Sequence, residues 1–248
     1  MQQRTTCAMQ TASPATDMIL RIFSSAVVAG GLAGLIAGVL QLTFVQPVLL
    51  HAELYETGQL VHFGASAEVS AHQTVTTFDL YRDGLSLAFS ALLFVGYAML
   101  LLPLILVAEE RYGQPLSARA GVLWGIAGFI AINMAPAFSM APEVPGVAAA
   151  DVADRQIWWF ATVILAAAAL WLLAFVRHPG AVVLAIVLFL APHIYGAPEP
   201  AVFLGPVPPE IAAKFAARAL GASLAAWVVL GSLVSAAWVR GQGAELSA

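Results

Sequence analysis

The stretch GGLAGLIAGVLQLTFVQPVLLHAELYE, residues 30–56, decides the fold. From Gly30 to Leu50 it contains no charged residue, and with the apolar residues before it, from Ile22, it exceeds the roughly 20 residues a helix needs to cross a bilayer. His51, Glu53, Tyr55 and Glu56 then crowd into six positions, as expected where a helix leaves hydrocarbon for water. Ala26, Gly30, Gly34 and Gly38 recur at every fourth position, so one face of the helix is small. Such a stripe lets a second helix approach closely and gain dispersion contacts, and its first reading is helix packing; a sliding or dimerising face is the alternative.

Composition extends this reading to the whole chain. Of 248 residues, 61% are hydrophobic and only 10% charged, far from the soluble balance of roughly a quarter charged. The chain is therefore an integral membrane protein. A net charge of -4, with no basic patch carrying interleaved aromatics, excludes a nucleic-acid binder. The single cysteine, Cys7, allows neither an internal disulfide nor a CxxC metal site. GxSxG, HExxH and Walker patterns are absent, so the sequence shows neither an enzyme nor an ATP-driven engine.

The expected fold is all-α: a polytopic membrane bundle of five to six transmembrane helices over residues 21–240, with a polar, disordered tail at 1–20 and a short tail at 241–248. Five spans are expected at Ile22 to Leu50, Gly84 to Ala108, Ala120 to Met140, Trp158 to Val176 and Ala219 to Val239. The sixth, Ala181 to Ala197, is interrupted by Pro192 and His193 and can span, dip or form a half helix. The arginine distribution places the N-terminus inside, although lysine and arginine alone slightly favour five spans. Residues 51–83 and 141–157 then face out, and the first of these loops carries His51, Glu53, Glu56, His62, Glu68, His72, Asp79 and Asp83. Such an outer face suits the collection of cations.

Polar groups inside spans cost free energy unless partnered, which marks Gln41, Thr43, Gln46 and Asn133. The first three lie ahead of Pro47, and Asn133 lies ahead of Pro136, which releases backbone carbonyls that neighbours can satisfy or that can line a cavity. Asn133 is read as an interhelical partner or a station on an ion path, and Met134, Met140 and Met99 as packing before soft-metal ligation. On a continuing helix Glu53 and Glu56 share a face while His51 aligns with Tyr55; in a loop His51 joins the acids. Either the acids form an entry site for a divalent ion or they are a water-facing interfacial cap. His178 is expected to contact headgroups.

Four segments in order, RIFSSAVVAGGLAGLIAGVLQLTFVQPVLLHAELYE, MAPEVPGVAAADVADRQIWWFATV, PHIYGAPEP and VPPEIAAKFAARALGASLAAWVVLG, resemble the CbtA family of proposed bacterial cobalt transporter subunits. The likeness runs from about Arg21 to Arg240. It implies a multi-pass protein of the bacterial cytoplasmic (inner) membrane, linked to vitamin B12 regulation and accompanied by a small single-span, histidine-rich partner subunit of CbtB type. His51, Glu53, Tyr55 and Glu56 match the family's AE-x-YE region, and Glu143, Pro145 and Gly146 its PELPG, with Val144 in place of leucine. Asp151, Arg155, Gln156, Trp158 and Trp159 match D-x-x-RQ-x-WW, and Pro192, His193, Gly196, Ala197 and Pro198 match PH-x-x-GAP.

Residues and resemblance together predict uptake of cobalt as a divalent ion, with no permanently bound cofactor. Glu53, Glu56, Glu143 and His193, helped by His51, are the expected capture ligands; Asp151 and Arg155 are expected to pair above Trp158 and Trp159, and Asn133 to lie below on the path. Nickel, another divalent ion or a corrinoid precursor is the alternative cargo. A non-transporting scaffold, in which Gly30, Gly34 and Gly38 do the essential work, is the alternative class.

Overall fold

The computed structural model describes residues 14–61 and 79–246. His62, Glu68, His72 and Cys7 lie outside the described residues. The regular structure among the described residues is helical, with no strand: α1 (Pro14–Leu40), a π turn (Gln41–Val45), α2 (Gln46–Glu56), α3 (Leu80–Tyr112), α4 (Ala118–Phe129), a second π turn (Ile130–Met134), α5 (Ala135–Ala137), α6 (Val152–Phe175), α7 (Pro179–Tyr195) and α8 (Pro209–Leu246). Five rods, Thr16–Glu56, Leu80–Tyr112, Arg119–Ala137, Val152–Phe175 and Pro209–Gly241, are long and apolar enough to cross a membrane. The protein is thus a multi-pass helical membrane protein, as its composition predicts. The doubtful segment is one unbroken helix of 17 residues, about 25 Å at 1.5 Å per residue, which is short of a typical hydrocarbon core.

Helix starts follow local chemistry. Asp79, Ser117 and Asp151 cap α3, α4 and α6 by accepting from backbone N–H groups two or three residues on, satisfying donors that a helix leaves orphaned. His178 does the same for α7, its Nδ1 accepting from Gly180 N at 3.0 Å, so it is a cap where a headgroup contact was expected. Pro14 opens α1 inside the polar stretch expected as a tail, a position where its missing N–H costs nothing. The last helix, α8, likewise runs on to Leu246.

Small residues govern packing. A Cβ on Gly30 would fall 2.6 Å from Val95 Cα, and one on Gly34 2.5 Å from Ala91 Cα, so α1 lies almost backbone to backbone on α3. Gly38 meets the Leu87 side chain in the same seam. Gly121, Gly125 and Gly231 provide the same intimacy between α4 and α8. Around these contacts α1, α3, α4 and α8 share a core that includes Ala26, Ala33, Leu102, Ile105, Trp227 and Leu230. By contrast, α6 and α7 pack mainly on each other and join the bundle chiefly through α5, the second π turn and α4.

The two π turns have one cause. Each is followed by one residue and then a proline, Gln46-Pro47 or Ala135-Pro136. A proline in a helix has no N–H to give and clashes with the carbonyl four residues back; widening the preceding turn by one residue relieves both. The bonds from Gln46 N to Gln41 O and from Ala135 N to Ile130 O record that wider step. Both turns touch α8. Arg218 Nη1 donates to Phe44 O at 3.1 Å, and Trp227 Nε1 to Asn133 Oδ1 at 2.8 Å.

Candidate functional site

HAELYE is helical, the end of α2. One face of α2 presents Val48 and Ala52, with Val45 just before it, to Val144, Val207, Ile211 and Phe215, and Tyr55 packs at the edge. Three separated segments of the chain therefore meet at one end of the bundle, here called the motif end. Two glycines permit this. Gly146 has φ +79°, which side chains rarely adopt, and a Cβ there would sit 3.0 Å from Glu56 Cβ; one on Gly205 would sit 3.0 Å from Gly146 O. The bond from Ala148 N to Leu204 O, 2.9 Å, ties the two loops together.

Within this cap Glu53 is half-buried and Glu56 exposed, three residues apart on one helix. The His51 ring lies 5.7 Å from that of Tyr55, and its Nε2 is buried without a hydrogen-bond partner. His51 thus aligns with Tyr55 rather than joining the acids, the helical alternative of the two read from sequence.

A buried polar group beside α2 is not apparent from the sequence. Gln46, 7% exposed, donates from Nε2 to Asp83 Oδ1 at 2.8 Å. Asp83, 3% exposed, also takes Arg82 Nε at 2.9 Å and the backbone N–H of Asp79 at 3.0 Å. Asp83 was expected in an outer loop; it sits in the first turn of α3 and fastens it to the helix leaving the first π turn. The usable signal was Gln46 itself, a costly amide beside a proline in an apolar span.

Across the motif end, a cleft of about 180 Å³ opens between the second π turn, α6 and α8; Asn133, Met140, Glu143, Arg155, Trp159 and Leu220 help to line it. A shallower hollow of about 280 Å³ shares Met140, Arg155 and Trp159. At the rim Arg155 Nη2 meets Glu143 Oε2 at 2.8 Å, both side chains about one-third exposed. This corrects the expected Asp151 to Arg155 pair. Asp151 instead accepts from Ala153 N and Asp154 N as the cap of α6, while the loop before it brings Glu143 to the guanidinium. Arg155 Nε is buried without a hydrogen-bond partner.

His193 stands apart from the acids. Its Nδ1 is 2.8 Å from Ser139 Oγ, and its ring meets the edges of Phe138 and Trp158 at 5.1 and 5.9 Å. Trp158 Nε1 donates to Pro192 O at 3.1 Å, so the RQ-x-WW and PH-x-x-GAP segments meet where α6 joins α7. Trp159 lines the cleft. Among the described residues no three His, Cys, Asp or Glu side chains are grouped to hold an ion. Glu53, Glu56, Glu143, His193 and His51 therefore form no preformed ligand cluster: Glu143 is held by Arg155, His193 by Ser139, and Glu53 and Glu56 remain as a pair.

The family model described as "Probable cobalt transporter subunit (CbtA)" matches residues 19–239, and the chain belongs to that family. Among curated proteins and solved structures nothing matches the chain.

Proposed function

Starting from that membership, we propose that this protein is the membrane subunit through which cobalt, as a divalent ion, enters a bacterial cell to supply vitamin B12 metabolism. The motif end faces outward and the N-terminus inward. Glu53 and Glu56 hold incoming ions at the mouth, and the cleft beside the second π turn receives them. A small single-span, histidine-rich subunit of CbtB type delivers or accepts the ion.

One observation carries this reading: a cleft at the motif end is lined by oxygen and sulfur groups, Asn133, Glu143 and Met140, at a helix break. Helix breaks in transporters expose backbone carbonyls to an ion where intact helices offer only side chains. The Asn133 and Glu143 oxygens can ligate cobalt but do not separate it from nickel by affinity.

The test is accumulation of radiolabelled cobalt in cobalt-starved cells expressing this chain with the small subunit, beside a Glu53→Gln, Glu56→Gln double variant of equal membrane abundance. Uptake that is lost in the variant supports the reading. Equal accumulation in wild-type, variant and empty cells removes it.

A further inference from the structure

The α6–α7 hairpin and the four-helix core meet along a seam. At the end away from the motifs, Tyr112 stacks on Phe175 with centroids 4.6 Å apart, and Trp124 lies 6.2 Å from Trp171, closing the seam with aromatic rings. At the motif end Glu143 and Arg155 close it with charge. The cleft lies beneath that pair and reaches Asn133.

This ion pair is poorly completed. A guanidinium has five N–H donors in a rigid fork and binds a carboxylate best through two of them, but here the ion-pair contact is Nη2 to Oε2, and Nε is buried with nothing to receive it. A carboxylate at a cleft mouth needs a cation, and Arg155 supplies it through Nη2 while its Nε goes unused. Asp151, the N-cap of α6 four residues earlier, commits Oδ1 to the cap and leaves Oδ2 as a second carboxylate oxygen within the reach typical of helix neighbours.

We infer that Arg155 is a tethered stand-in for the transported ion. While the seam is closed its guanidinium neutralises Glu143; an arriving divalent cation takes over that carboxylate, Arg155 turns toward Asp151, and the cleft opens toward Asn133. Glu143 is thereby a ligand only after exchange, which is why no ligand cluster is preformed. This inference rests on the cobalt reading for its cargo, but the exchange can be observed without transport.

With Cys7 replaced by serine, Ala137→Cys places a unique thiol on the cleft wall. The rate at which a membrane-impermeant methanethiosulfonate labels it in whole cells reports opening. Slow labelling is expected with Arg155 present, a rise of about tenfold in Arg155→Gln from loss of the charged contact, and little change in Arg155→Lys. External cobalt chloride is expected to speed labelling when Arg155 is present and to add nothing in Arg155→Gln, with sodium chloride at equal ionic strength as the control. Equal rates with arginine and glutamine at 155, or no response to cobalt in the Arg155 protein, overturn the proposal whatever the uptake. If labelling responds as expected but none of these cells accumulates radiolabelled cobalt, the exchange at Glu143 stands and the transport reading falls.

Discussion

Gln46 and Asp83 join across 2.8 Å in the interior of the motif end, a glutamine just past one helix break bound to an aspartate in the first turn of the next helix. Both are over nine-tenths buried. A buried acceptor deprived of its donor retains the full cost of leaving water. Gln46→Leu is therefore expected to lower Tm in detergent by roughly 5 °C, and Gln46→Glu by more, because it sets two carboxylates against each other. Thermal aggregation followed by size-exclusion chromatography checks the order; an unchanged Tm in both variants would show that the pair is dispensable.

Gly34 and Gly31 separate packing from function. A Cβ at Gly34 meets the α3 backbone, whereas one at Gly31 meets nothing within 4 Å. Gly34→Val is expected to push α1 off α3 at a cost of about 1–3 kcal/mol or more, while Gly31→Ala is neutral or gains up to about 1 kcal/mol of helix propensity. Membrane abundance and Tm measure both. Cobalt uptake that falls in Gly34→Val only as far as abundance falls assigns the stripe to assembly; a defect at normal abundance assigns it to transport.

Much of this architecture is legible because the bilayer imposes simple rules. Apolar runs marked the five rods, and Pro136 marked one break because a missing N–H is visible in sequence, whereas the break before Pro47 lies inside what reads as one continuous span from Ile22 to Leu50. What escaped reading was long-range pairing. Asp151 and Arg155 are four apart, the spacing of a helix ion pair, but Asp151 is engaged as an N-cap and Glu143 arrives by a loop whose path no periodicity reveals. His178 looked like a headgroup contact because a histidine cap has no signature beyond its place before Pro179. The candidate ligands were visible singly; their separation into Glu53 with Glu56, Glu143 on Arg155 and His193 on Ser139 depended on tertiary packing.

Gly146 tests whether the cap at the motif end must keep its shape. Its φ of +79° lies in the left-handed region, where an L side chain costs roughly 1–2 kcal/mol, and an added Cβ would also press on the Glu56 stem. Gly146→Ala is thus expected to shift the 141–150 loop against α2, loosening both the contact with Glu56 and the approach of Glu143 to Arg155. Gly58 is the comparison, since it too has a positive φ, +73°, but meets nothing within 4 Å. Gly58→Ala carries the backbone strain without the crowding. If labelling at Ala137→Cys accelerates in Gly146→Ala and not in Gly58→Ala, loop position controls the ion pair. Equal labelling in both variants and in the parent would confine the role of Gly146 to stability.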